Sequence, residues 1–175
     1  MTQGKNPTMI QVYTGNGKGK TTAALGLALR AVGAGLKVYI GQFIKSGDYC
    51  EVKALRKIKA IKTEQFGRGC FIRKSPSRID KDLAQKGFDR IKKIIEENDY
   101  DVVILDEVNV ALKVGLLDLK DLLTLLKDAP KKTELILTGR YAHPQVIRAA
   151  DLVSEIKEVK HYYRKGIKSR IGIEC

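Results

Sequence analysis

Two pairs of adjacent residues carry the side chains best suited to phosphate chemistry. Lys20 and Thr21 close the glycine-rich stretch 14–22, TGNGKGKTT, and Asp106 and Glu107 follow a run of apolar residues. Lysine in such a loop brings a full positive charge to a polyanion, and the neighbouring hydroxyl can bind Mg2+. A carboxylate after a strand can orient the metal or its water ligands. The two pairs predict a site for magnesium and a nucleotide, with Asp106 and Glu107 both candidate metal contacts beside Thr21.

The setting of the glycine-rich stretch favours a phosphate loop. The apolar segment 9–13 before it predicts a buried strand, and the Ala- and Leu-rich segment 22–30 after it predicts a helix. Glycines let backbone N–H groups converge on an anion, and the helix N-terminus adds positive potential. Thr14 stands where the common pattern has glycine, and two further glycines lie inside the loop. The predicted nucleotide contacts are Gly15, Asn16, Gly17, Lys18, Gly19, Lys20, Thr21 and Thr22; Lys18 is either a phosphate contact or a solvated charge.

Strand and helix patterns alternate along the rest of the chain. Strands are predicted at residues 37–43, 58–66, 100–105, 134–137 and 152–156, the last as a core strand. Helices are predicted at residues 49–57, 116–126 and 144–150, and another, capped by Ser77 or Asp80, carries the apolar face Ala84, Phe88, Ile91 and Ile95. Alternation predicts an α/β fold, a mostly parallel sheet with helices on both faces. Together with the phosphate loop, this alternation predicts the architecture of a P-loop NTPase of the recombinase-like type. We expect residues 1–175 to form one domain.

The unusual residues should gather at one edge of this sheet. Ligands of open parallel sheets bind outside the carboxyl ends of the strands. The phosphate loop and the segments 42–48, 106–107 and 138–140 all follow strands, and the irregular stretch 67–77 should reach the same edge.

Composition narrows the function classes. No apolar run is long enough for a membrane span, and three cysteines without C-x-x-C spacing favour a reducing cytoplasm over a disulfide framework. The net charge of +13 fits either a nucleotide pocket with solvated basic faces or nucleic-acid binding. The basic residues are dispersed and no aromatic stacking set accompanies them, so nucleic acid is the less favoured partner.

Several blocks of the chain resemble the phosphate-loop type of ATP:corrinoid adenosyltransferases. They run in the family's order and cover nearly the whole chain, and Thr14 is itself part of that family's loop. The blocks are 14–24 (TGNGKGKTTAA), 42–45 (QFIK), 105–107 (LDE), 138–140 (TGR), 150–155 (ADLVSE) and 159–161 (VKH), followed by Gly166 and Gly172.

The resemblance implies a reaction. The family moves the 5′-deoxyadenosyl group of ATP to cobalt(I) of a corrinoid and releases triphosphate, in adenosylcobalamin biosynthesis or salvage. Cobalt is the nucleophile, so the protein's task is alignment and charge stabilisation. Lys20, Thr21, Mg2+ and Glu107 would then stabilise the departing triphosphate, and the nucleotide would lie reversed relative to other phosphate-loop enzymes.

Other residues take roles only through the resemblance. Arg30 would lie near the nucleotide, although it also fits a solvated charge at a helix end. Arg140 and His161 would line the pocket, although His161 also fits an ordinary surface residue, and Phe71 would lie beneath the corrinoid in a chain without tryptophan. A homodimer and an electron-donating flavoprotein are the expected protein partners.

Two other classes fit the phosphate loop. A nucleic-acid-dependent ATPase would release inorganic phosphate and bind single strands in a salt-dependent manner. A small-molecule kinase would release ADP. Product identification with Mg-ATP and a reduced corrinoid separates all three.

Overall fold

A computed structural model describes residues 8–69, 75–130 and 132–174 of the protein. Its strands form one six-stranded sheet in which every pairing is parallel, in the order β3-β2-β4-β5-β1-β6. The strands are β1 Ile10–Thr14, β2 Val38–Ile44, β3 Ile61–Gly67, β4 Val102–Asp106, β5 Glu134–Thr138 and β6 Leu152–Glu155. The helices are α1 Lys20–Gly33, α2 Cys50–Leu55, α3 Arg78–Glu97, α4 Val108–Lys113, α5 Leu119–Asp128 and α6 Pro144–Ala149, with a 3-10 turn at Tyr162–Lys165.

Two hydrophobic clusters show that helices cover both faces of this sheet. Alternate residues of a strand point to opposite faces. On β4, Val103 and Leu105 pack in the larger cluster with residues of α3, α4 and α5, whereas Val102 and Ile104 pack in the other with the alanines of α1. Burial on both faces explains why the central strands are continuous apolar runs. The predicted α/β architecture is confirmed.

The helix α3 confirms a prediction made from periodicity. Ala84, Phe88, Ile91 and Ile95 are all buried, so Phe88 is a core residue. Ser77 is the N-cap and forms a capping box with Asp80: each side chain accepts a hydrogen bond from the other's backbone N–H. The cap therefore uses both candidates at once.

The last strand was predicted correctly as a strand, but its predicted burial is wrong. Residues 152–156 were expected to form a core strand, but β6 is an edge strand whose four residues are all exposed. Leu152 and Val153 remain 45% and 42% exposed, because β6 pairs only with β1 and no described helix covers it. The helix α4 was not predicted, and the helix expected from residue 116 begins at Leu119 after the N-cap Asp118.

The strand register decides which side chains meet at the carboxyl edge. Gln42 pairs with Asp106 across β2 and β4, and Tyr13 pairs with Thr138 across β1 and β5. The loop after β1 and the last residues of β2, β4 and β5 are thus neighbours. Among the described residues, no helix is long and apolar enough to cross a membrane.

Candidate active site

The extra glycines of the phosphate loop have a packing role. A Cβ at Gly15 would lie 2.5 Å from the carbonyl oxygen of Ile156, and one at Gly17 would lie 2.8 Å from it. The Gly17 N–H donates to that same oxygen at 2.7 Å, and Ile156 N–H donates to the Thr14 carbonyl at 2.9 Å. The loop is therefore held against the chain that leaves β6, and only residues without a side chain allow this approach.

Lys20 begins α1 and points back over its own loop. Its Nζ donates to the Gly17 carbonyl at 2.7 Å, and the residue is 7% exposed. Burial and the nearby Arg140 guanidinium lower the pKa of Lys20, while Glu107 and Asp106 oppose that shift. Lys20, Arg140 and the two carboxylates consequently lie within electrostatic range of one another at the carboxyl edge.

Asp106 is the centre of a hydrogen-bond network at the end of β4. Its Oδ1 accepts from the hydroxyls of Thr21 at 2.8 Å and Thr138 at 2.6 Å. Its Oδ2 accepts from Lys45 Nζ at 2.9 Å and from Gln42 Nε2 at 3.0 Å. Burial favours the neutral acid, but the Lys45 charge and these hydrogen bonds together hold the pKa of Asp106 below its ordinary value.

Glu107 lies in a different environment from its neighbour. It has a left-handed φ of 61° as the N-cap of α4, and its N–H donates to Thr138 Oγ1 at 3.0 Å. Burial and the adjacent Asp106 charge raise the pKa of Glu107, against the attraction of Lys45, Lys20 and Arg140. A non-glycine residue at positive φ beside a buried carboxylate is the kind of backbone strain that concentrates at functional sites.

The oxygen donors here fit Mg2+. The candidates are Thr21 Oγ1 and the carboxylates of Asp106 and Glu107, which are the hard ligands that this ion prefers. In the described part of the chain, no group of three or more His, Cys, Asp or Glu side chains could hold a metal ion. A site completed by substrate phosphates needs only one or two carboxylates from the protein.

Sequence reasoning gave no individual role to three members of this network. Gln42, Lys45 and Thr138 were placed at the correct edge, but nothing in the pattern showed that all three bond one carboxylate. The available signal was the polar Gln42 within the apolar run 37–43, which was predicted to be a buried strand. A polar side chain on a central strand needs a partner in the interior.

Lys18 contacts the C-terminal segment of the chain. Its Nζ donates to the Ile173 carbonyl at 2.8 Å, the Glu174 carboxylate at 3.1 Å and the Tyr162 hydroxyl at 3.1 Å. Tyr162 also donates a hydrogen bond to Glu174. His161 belongs to the same segment, with its ring 4.9 Å from that of Tyr162. The C-terminal segment thus reaches the outer side of the phosphate loop.

The remaining predicted contacts lie at different distances from the network. Asn16 and Thr22 are exposed on the loop and on the first turn of α1. Arg30 is ten residues beyond Lys20 on α1, roughly 15 Å along the helix axis, so the fold does not bring it into the network. Phe71 lies outside the described residues.

Comparison with known proteins gives consistent results. The sequence model of the ATP:corrinoid adenosyltransferase BtuR/CobO/CobP family matches residues 6–175. The corrinoid adenosyltransferase of Escherichia coli strain K12 is 34% identical over 166 residues, 95% of this chain and 85% of that one. Corrinoid adenosyltransferase CobA of Salmonella typhimurium is 33% identical, with the same coverage. The corrinoid adenosyltransferase of Pseudomonas aeruginosa is 34% identical over 95% of this chain and 83% of its own.

A solved structure supports the fold alone. A KaiC-like protein of Pyrococcus horikoshii OT3 superposes with a TM-score of 0.54 at 16% identity, over 87% of this chain and 74% of that one. The sequence matches extend along almost the whole chain and include the phosphate loop, the β4 carboxylates and the C-terminal segment. The chain belongs to the ATP:corrinoid adenosyltransferase family and is a transferase.

Proposed function

We propose that this enzyme transfers the 5′-deoxyadenosyl group of Mg-ATP to cobalt(I) of a corrinoid and releases triphosphate. The observation that carries the proposal is the direct hydrogen bond between Thr21 of the phosphate loop and Asp106 of β4, 2.8 Å long. It joins the anion-binding loop to the metal-binding carboxylates in a chain of the adenosyltransferase family.

The reaction balances without a nucleophile from the protein. Cobalt(I) supplies the electron pair of the new cobalt–carbon bond, and the electrons of the broken C5′–O bond leave with triphosphate. The protein's contribution is to hold the phosphates and stabilise the charge that develops on them. Lys20 and the loop N–H groups bind that anion, and Arg140 is near enough to alter the pKa of both Lys20 and Glu107.

Magnesium would be held by Thr21 and by Glu107, Asp106 or both, and would neutralise part of the triphosphate charge. Asp106 is already engaged by four donors, so a metal that contacts Asp106 must displace one of them. Where the metal contacts Glu107 alone, Asp106 orients the Thr21 hydroxyl. The resemblance implies that the nucleotide lies reversed in the loop relative to other phosphate-loop enzymes, which suits a reaction that breaks the bond at the ribose end rather than at the γ-phosphate.

Further assignments follow from the family and are proposals here. The resemblance assigns His161 and Arg140 to the pocket and Phe71 to the corrinoid, and it assigns Arg30 to the nucleotide in spite of its distance from Lys20 along α1. The enzyme works in the cytoplasm as a homodimer, in adenosylcobalamin biosynthesis or salvage, with a flavoprotein that reduces the corrinoid. Of the two edge strands, β3 and β6, the more exposed β6 is the one we assign to pairing with a second copy.

Product identification tests the proposal. The protein is incubated with Mg-ATP and a chemically reduced corrinoid in the dark, and the phosphorus products are resolved by ion-exchange chromatography. We expect triphosphate and a light-sensitive organocobalt product in equal amounts. ADP with an unchanged corrinoid would instead indicate a kinase, and inorganic phosphate that depends on single-stranded nucleic acid would indicate an ATPase.

A further inference from the structure

The ammonium group of Lys45 contacts two of the oxygen atoms that are proposed to bind the metal. It follows β2 directly, and its Nζ is 2.9 Å from Asp106 Oδ2 and 3.3 Å from Thr21 Oγ1. Its side chain is 17% exposed and that of Asp106 is 1% exposed. The ammonium therefore bridges the hydroxyl of the phosphate loop and the carboxylate of β4 in a largely dry environment.

The backbone before Lys45 is held in a rare conformation that directs the lysine there. Ile44 has a φ of 68°, and the Lys45 N–H donates to the Phe43 carbonyl at 2.6 Å. A three-residue turn with positive φ at its centre is strained, especially for a β-branched residue. Such strain persists where the surroundings enforce it. Gly67 allows it, since a Cβ at that position would lie 2.0 Å from the Ile44 carbonyl oxygen.

Lys45 is also the lysine that neutralises the buried carboxylate by direct contact. The other lysine of the site, Lys20, donates to the Gly17 carbonyl instead. A buried carboxylate requires a partner of opposite charge, and Asp106 finds it in Lys45. A dication at the same oxygens would supply that charge itself, and it would repel an ammonium that remained in place.

We infer that Lys45 and the divalent cation compete for Asp106 and Thr21, so that the metal binds tightly only when it arrives with the triphosphate. A free dication must displace the Lys45 ammonium from Asp106, and the lysine then has no carboxylate partner. A metal–triphosphate complex brings phosphate oxygens, which are good acceptors for a lysine on a flexible stem. Lys45 thereby couples metal binding to nucleotide binding. This inference rests on the proposed magnesium site but not on adenosyl transfer.

Metal binding by the nucleotide-free protein tests this competition. Mn2+, which shares the oxygen preference of Mg2+, is titrated into the protein and the free ion is counted by electron paramagnetic resonance. We expect Lys45→Met to bind Mn2+ at least about tenfold more tightly than wild type, because the competing charge is gone. Lys45→Arg keeps the charge and should bind Mn2+ no more tightly than wild type.

Thermal unfolding gives a second readout, with a matched control. Without metal, Lys45→Met should melt below wild type, and Mg2+ should raise its melting temperature by more than it raises that of wild type. Lys93→Met removes an exposed ammonium on α3, 3.7 Å from Glu97, and should respond to both metals as wild type does. If Lys45→Met is insoluble, Lys45→Gln, whose side chain is neutral but polar, takes its place in both measurements.

The two proposals fail in different experiments. If the neutral variants bind Mn2+ no more tightly than wild type, or are destabilised without extra rescue by Mg2+, Lys45 is a structural ion-pair partner and the competition is disproved. If they bind Mn2+ more tightly but wild type yields no triphosphate, the competition stands and the proposed reaction is wrong.

Discussion

Lys18 and Lys20 stand two residues apart on one loop but lie in different environments. Lys20 faces inward and is 7% exposed, near the carboxylates of β4. Lys18 faces outward with its side chain 41% exposed, and its partners come from the C-terminal segment. The inner side of the loop is built by central strands buried on both faces, whereas the outer side is built by an exposed edge strand and the segment after it. Since water screens the outer charges and not the inner ones, the inner side should dominate both stability and chemistry.

The largest contrast is expected between alanine substitutions of the two lysines. Lys20→Ala should lower turnover by at least about a hundredfold, because it removes the charge proposed to stabilise a leaving triphosphate, while the melting temperature changes little. Lys18→Ala should retain most of the activity. Equal losses in steady-state assays of corrinoid adenosylation would show that the two sides of the loop do not differ.

Asp106→Asn should be the most destabilising change at the site. It removes the charge that pairs with Lys45 inside the protein, and breaking such a buried pair costs about 3 kcal/mol. Urea unfolding at neutral pH measures the loss. A free energy of unfolding equal to that of wild type would mean that solvent already compensates the pair.

Glu107→Gln should weaken the response to magnesium with a smaller effect on folding. The change keeps the size of the side chain and removes the proposed metal contact, so the Mg2+ concentration for half-maximal activity should rise about tenfold. Asp106→Asn is titrated with Mg2+ in parallel. If only Asp106→Asn raises the half-maximal Mg2+ concentration, Asp106 and not Glu107 is the metal contact.

On the outer side, Glu174→Gln should have a much smaller effect on stability than Asp106→Asn. Glu174 pairs with Lys18 and Arg170 near solvent, and such pairs contribute little and are screened by salt. The difference from wild type in the urea midpoint should vanish in high salt. A large, salt-independent loss would show that the C-terminal segment is a structural part of the loop.

The smallest effect is expected at Asp80, a partly exposed acid far from the site in sequence. Hydrogen bonds from Arg68 and Ser77 lower the pKa of Asp80 to about 2. Because the folded-state pKa is depressed, its contribution to stability is complete above the unfolded pKa near 4 and is lost as the pH falls toward 2. Asp80→Asn should therefore be less stable than wild type at neutral pH, and the difference should shrink over that acidic range in thermal unfolding. A constant difference would assign the effect to the cap geometry alone.

Most of the inner side was predictable from local pattern. Continuous apolar runs such as 102–105 identify strands buried on both faces, and Ala84, Phe88, Ile91 and Ile95 identify a helix face. Both features reflect burial, which the order of residues records directly. The burial of β6 was mispredicted because Leu152 and Val153 have the composition of a core strand. Whether a strand is central or at an edge depends on strand order, which no local window contains.

By itself, the sequence determined the strand–loop–helix unit at Lys20, the carboxylates after β4, the alternating elements and, through its motifs, the family. Only the tertiary structure decided that Ile156 packs against the loop glycines, that the C-terminal segment binds Lys18, and that Lys45 is bonded to Asp106. The first group follows from residue periodicity and spacing, which are local. The second depends on strand register. The register of β2 against β4 brings together Lys45 and Asp106, 61 positions apart, and that of β6 against β1 brings together residues more than 130 positions apart.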